Sequence, residues 1–281
     1  MSRIKTATKL LGIVLSVAML SGCPLDDVTK YHPQDKGWQL VWSDEFDYSG
    51  IPDSDKWSYG VGNGCDMPCG CGWGNQESQY YTQQDTTNAY VSNGHLVITA
   101  KKQKTKGAFY TSARLVSKGK GDWQYGRIEI RAKLPSGRGI WPAIWMLSTE
   151  NKYKRWPHSG EIDIMEYVGY EPNKVFGTVH TKAFNGMYGT QKGGHILAEG
   201  CENEFHVYRI DWTPEEIKWY VDDRHYFTFE NEGGGYEKWP FDQKFHLIMN
   251  VAVGGQWGGK YGIDNEIFPQ KMEVDYVRVY Q

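Results

Sequence analysis

The segment 125–134 limits the possible folds more than any other part of the chain. Arg127, Glu129, Arg131 and Lys133 alternate there with Ile128, Ile130, Ala132 and Leu134. A period of two puts the charges on one face and the apolar groups on the other, as in a strand with one buried side. Residues 95–100, 205–212, 217–221 and 272–280 are likewise rich in β-branched and aromatic side chains and read as strands. Turn-forming clusters separate the runs: Ser136-Gly137, Asp222-Asp223 and Gly233-Gly234-Gly235. No long amphipathic helix stands out. The predicted fold is all-β, an antiparallel sandwich of the jelly-roll kind.

The first residues read as an address. Arg3, Lys5 and Lys9 precede the apolar run 10–20, which is short for a permanent membrane span. That pattern is a secretory signal. It ends at Leu20-Ser21-Gly22-Cys23, which resembles the bacterial lipobox, where cleavage before the cysteine is followed by its lipidation. We therefore expect a signal peptide over 1–22, a lipidated Cys23 with a polar tether over 23–36, and one catalytic domain over 37–281. The expected location is the cell envelope, membrane-anchored and facing the periplasm or the exterior. Outside the cytoplasm neighbouring thiols oxidise. A disulfide within residues 65–71 follows, but pairing among Cys65, Cys69, Cys71 and Cys201 stays open. A zinc site would need a second close Cys or His pair, which does not accompany them. The net charge of −3 argues against a nucleic-acid partner held by a basic surface. A monomer is expected.

Chemistry concentrates in Gly160-Glu161-Ile162-Asp163-Ile164-Met165-Glu166. On a strand Glu161 and Asp163 share one face, and Ile162 and Ile164 the other. Regular alternation would send Glu166 into the core beside the isoleucines, where an unpaired carboxylate is costly. One extra residue at Met165, a β-bulge, returns Glu166 to the face of the other two. Three carboxylates on one face repel one another, and with partial burial some keep a proton near neutral pH. An ionised carboxylate beside a protonated one is what glycoside hydrolysis requires. An acidic solvated face, or a metal site, is the plainer alternative.

The same segment resembles the active-site signature of glycoside hydrolase family 16, in its bulged Glu-x-Asp-x-x-Glu form. The likeness extends to Leu40-Val41-Trp42-Ser43-Asp44-Glu45-Phe46, Gly72-Trp73-Gly74-Asn75-Gln76-Glu77, Trp141-Pro142-Ala143-Ile144-Trp145-Met146-Leu147, Gly177-Thr178-Val179-His180 and the terminal Val274-Asp275-Tyr276-Val277-Arg278-Val279-Tyr280. These segments look like the family's bacterial laminarinases, endo-β-1,3-glucanases. The resemblance implies a jelly roll with a concave cleft, cleavage of β-1,3-glucan with retained configuration, and no cofactor for catalysis. Mixed β-1,3/1,4-glucan is a further expected substrate. Carried over residue by residue, Glu161 is the nucleophile, Glu166 the general acid/base, and Asp163 the residue that assists Glu161. Cys71, directly before Gly72-Trp73, departs from the usual laminarinase loop.

Sugar rings offer apolar C–H faces that stack on indole, and hydroxyls that need directional partners. The 12 Trp and 19 Tyr suit that task, although a packed β core would use them too. Trp141 and Trp145, four apart on a strand, point the same way. With the resemblance they become cleft residues, with Asn75, Glu77 and Arg114 as hydroxyl partners, His180 as a cleft histidine and Trp257 on an outer rim. The resemblance also implies a structural calcium ion on the convex side, held by Glu45, the Gly94 carbonyl and Asp275, oxygen donors suited to a hard cation. Two other readings of the whole chain compete: a transglycosylase, and a glucan-binding protein without catalysis.

Overall fold

The computed structural model describes residues 37–281 except Cys69. The signal peptide, Cys23 and the tether lie outside the described residues. A ten-stranded and an eight-stranded sheet stack face to face. The alternating segment forms the strand Gly126–Lys133, with Ile128, Ile130 and Ala132 fully buried. It pairs with His206–Trp212 on one side and with Gln270–Tyr280 on the other. Its first charged member departs from the pattern: Arg127 is buried and paired to Asp211 at 2.8 Å.

Nearly every pairing is antiparallel, as expected. Gln79–Tyr81 and Ala108–Ser112 form a parallel pair. The run beginning at His95 continues to Thr105, beyond its apolar part, because its lysine-rich end pairs back with Ala108–Ser112 as a hairpin. Phe245–Val253 has no alternation at all, since all nine of its residues are buried. A strand covered on both faces loses the period-two signal.

The inner faces of the two sheets form the core. Ile162, Val179, Ile144, Met146, Leu247, Met249 and Val251 of the smaller sheet meet Ile130, Ile210, Trp212, Val277 and Val279 of the larger. The outer face of the smaller sheet is thereby left for other work.

Candidate active site

The carboxylate strand Glu161–Tyr167 carries the expected bulge. Asp163 is opposite Thr178, yet Glu166 is opposite Phe176, so one extra residue is spent on this strand. The slip recurs against the other neighbour, where Trp145 faces Asp163 and Ile144 faces Met165. Ile164 and Met165 both point into the core. At the bulge the Asp163 carbonyl accepts the Trp219 indole N–H at 2.8 Å, from the opposite sheet. Trp219 can come this close because residue 177 is glycine: a Cβ there would sit 2.4 Å from Trp219 Cδ1.

Residues opposite one another in neighbouring strands share a face. Glu161, Asp163 and Glu166 therefore stand beside His180, Thr178 and Phe176 on one flank. On the other flank lie Leu147, Trp145 and Ala143. The row continues through Trp141, opposite Ala252, and Asn250, opposite both Ala143 and Arg114. The three acids, both tryptophans, His180 and Arg114 thus meet on one open face.

Burial is the largest cause that pushes the Asp163 carboxyl well above the usual range, followed by the charge of Glu161 and a hydrogen bond to it. Glu166 is also pushed well up, by burial first and then by the charge of Asp163, with His180 and the Trp141 indole opposing. The Trp141 N–H donates to Glu166 Oε1 at 3.2 Å. Asp163 Oδ2 is buried without a hydrogen-bond partner among the described residues. A proton on Asp163 directed at Glu161 turns the contact between the two acids into a hydrogen bond, where two anions would repel.

His180 stands at the Glu161 end. Its Nδ1 accepts the Gly186 backbone N–H at 3.1 Å. The hydrogen-bond pattern therefore assigns the neutral ring's proton to Nε2. That atom lies 3.3 Å from Asp163 Oδ2 and 3.9 Å from Glu161 Oε1. Glu161, Asp163 and His180 are close enough together to hold a metal. An Nε2 that carries a proton toward the carboxylates has no lone pair to give an ion, so the arrangement favours proton chemistry.

Trp257 meets Trp141 edge-on at 5.5 Å and Phe176 at 5.1 Å, which closes the Glu166 end. At the other flank the Arg114 guanidinium is sandwiched 4.6 Å from Trp73 and 4.7 Å from Trp145. A hydrogen-bonded chain runs behind them: Trp145 Nε1 donates to Asn250 Oδ1 (2.8 Å), and Asn250 Nδ2 to the Tyr81 hydroxyl (3.0 Å). Tyr81 donates to Glu77 in turn.

Glu77 ends this chain. Its carboxylate already accepts Gln79 at 2.6 Å, Asn75 at 3.1 Å and Tyr81 at 3.4 Å, and burial raises its pKa. It braces the flank, while Asn75 stays exposed to solvent. Asn250 and Trp73 were absent from the expected contacts. Asn250 had a signal, as an amide in an otherwise apolar stretch; Tyr81 had none.

The two carboxylates expected to hold calcium are paired with arginines. Arg278 takes both oxygens of Glu45, at 2.8–3.2 Å, and Arg131 takes Asp275, with His95 Nε2 3.6 Å away. Guanidinium groups thus take both oxygens of Glu45 and one of the two on Asp275. The disulfide joins Cys65 to Cys71, Cys201 is free and buried, and Cys69 lies outside the described residues.

The model of the family described as "Glycosyl hydrolases family 16" matches residues 76–278. A β-glucanase of Rhodothermus marinus is 58% identical over 251 residues, covering 87% of this chain and 85% of its own. The X-ray structure of the laminarinase from Rhodothermus marinus superposes with a TM-score of 0.83 at 56% identity, covering 87% of this chain and 97% of that one. The catalytic domain of an endo-1,3-β-glucanase (laminarinase) from Thermotoga petrophila RKU-1 superposes with a TM-score of 0.78 at 44% identity, covering 87% and 98%.

Proposed function

The chain belongs to glycosyl hydrolase family 16, and from that premise we propose that it hydrolyses β-1,3-glucan internally, with retention, through Glu161 and Glu166. The observation that carries the reading is the bulge, which turns Glu166 onto the face of Glu161 and Asp163. Glu166, kept protonated by burial, donates its proton to the glycosidic oxygen. Glu161 attacks the anomeric carbon from the other side, so the C–O bond breaks and a glycosyl-enzyme ester forms. Glu166, now a carboxylate, takes a proton from water as that water attacks the same carbon and releases Glu161. Asp163 steadies Glu161 by hydrogen bonding as its charge is consumed and restored. Every step uses side chains of this chain and water.

The test uses the fragment that begins after Cys23, with laminarin, mixed-linkage glucan and agarose as substrates. We expect mixed oligosaccharides early from laminarin, a first-formed β-anomer by NMR, and loss of both with Glu161→Ala. Products longer than the starting oligosaccharide would make a sugar the acceptor, hence a transglycosylase. No cleavage of any substrate by folded protein would leave glucan binding without catalysis. Cleavage of mixed-linkage glucan as well would widen the substrate class.

Envelope location is a separate proposal, supported by Leu20-Ser21-Gly22-Cys23 alone. Cys23 holds the protein to a membrane through lipid, and the catalytic domain works as a monomer. Cys23→Ala should move the protein from the membrane to the soluble fraction; an unchanged partition sinks the proposal.

A further inference from the structure

We propose a second glucan-binding site outside the cleft, in the hollow between segments 149–160 and 231–242; it rests on the glucan reading above. Tyr125, Tyr153, Asn231, Tyr236, Trp239 and Asp242 line it. The rings of Tyr153 and Tyr236 stack, with centroids 4.7 Å apart and planes 10° from parallel. The Tyr153 hydroxyl donates to Asp242 at 2.7 Å. Lys152 reaches the same carboxylate at 3.0 Å and lies 4.9 Å from the Tyr153 ring. Tyr153 is thus held between Tyr236 and Lys152, which leaves the half-buried Tyr236 ring to face the hollow with a carboxylate fixed beside it. Trp239, almost wholly buried, stacks on Phe229 at 5.5 Å.

Tyr125 adds an independent observation. Its φ is +65°, a left-handed conformation that a bulky side chain rarely adopts. None of these residues takes part in the cleavage steps.

The chemistry of the hollow selects a neutral sugar. Asp242 and Lys152 pair with each other, so neither an anion nor a cation finds an unbalanced charge. Aromatic plates suit the C–H face of a pyranose. The carboxylate and the phenol hydroxyls of Tyr125 and Tyr236 suit its hydroxyls. The hollow also adjoins the cleft: Trp156, three residues after Tyr153, has its ring 6.1 Å from that of His180. One loop thus contacts both places.

Tyr236→Ala and Asp242→Asn test this, each assayed on insoluble β-1,3-glucan and on an oligosaccharide that fills the cleft alone. Loss of one stacking or hydroxyl contact should lower kcat/KM on the polymer about three- to ten-fold. The oligosaccharide rate should stay unchanged. Equal falls on both substrates, or no fall on either, would overturn the proposal. Retention in glucan-containing gels, weaker for both variants, reads the site without turnover. Wild-type protein that is retained but cleaves neither substrate would therefore defeat the catalytic reading and not this one; equal retention of wild type and variants would defeat the second site.

Discussion

Burial is the first reason why the Asp163 and Glu166 carboxyls hold their protons, and for each a neighbouring carboxylate adds to it. A raised folded-state pKa means that the folded chain binds the proton more tightly than the unfolded chain does. The corresponding stability is complete below the ordinary values of 3.8 and 4.5, and is lost as pH rises toward the raised ones. Glu166→Gln and Asp163→Asn should therefore melt above wild type at neutral pH, with a gap that widens from about pH 4 upward. Calorimetry across pH checks this, and a gap that stays flat would refute it. Activity responds differently. Glu166→Gln should cost about 10²- to 10⁴-fold in kcat, as the general acid is lost. Asp163→Asn removes a group that, once it ionises as pH rises, holds Glu166 up, so the alkaline limb of the pH–rate profile should move to lower pH. A limb that stays in place would show that Asp163 does not act on Glu166.

The bulged strand depends on contacts from two other elements. Trp219, from the facing sheet, meets the Asp163 carbonyl across the core, and Gly177 on the neighbouring strand leaves room for it. Gly177→Ala places a methyl group 2.4 Å from Trp219 and 2.5 Å from the Tyr226 hydroxyl. Overpacking of this kind costs about 1–3 kcal/mol. We expect a lower melting temperature together with a lower kcat, because the strand that aims the acids is displaced. Trp219→Phe keeps the ring and removes the N–H; a stability loss of about 1 kcal/mol with a clear fall in kcat would tie the indole to the bulge. An unchanged kcat in both variants would free the bulge from this contact. The bulge itself was legible because Glu166 would otherwise be buried without a partner. The fully buried strand Phe245–Val253 was not, since its sequence has no period to read.

At the scale of the molecule, the outer face of the smaller sheet is flanked by a loop that the Cys65–Cys71 disulfide closes. Trp73 and Asn75 follow directly after it. A ring this short contributes about 2 kcal/mol at most. Reduction should therefore leave the domain folded, with a small fall in melting temperature and a rise in KM that exceeds any change in kcat. A fall in kcat alone would place the loop's influence elsewhere. Cys201 should not interfere, since burial pushes its thiol up to about 12 and native alkylation should spare it.

Local order set much of this protein. Alternation over 125–134 required a half-buried strand, and the spacing of Glu161, Asp163 and Glu166 required a bulge, because burial of a charged group is costly wherever it happens. Those demands act between near neighbours, so they can be read along the chain. Contacts between distant segments cannot. The chain Trp145–Asn250–Tyr81–Glu77 joins three segments far apart in sequence. Arg278 and Arg131 reach Glu45 and Asp275, where a cation was expected, because closure of the sheets brings those charges together. Hydrogen bonds and ion pairs are decided by distance in space, and only the packed sandwich fixes that distance.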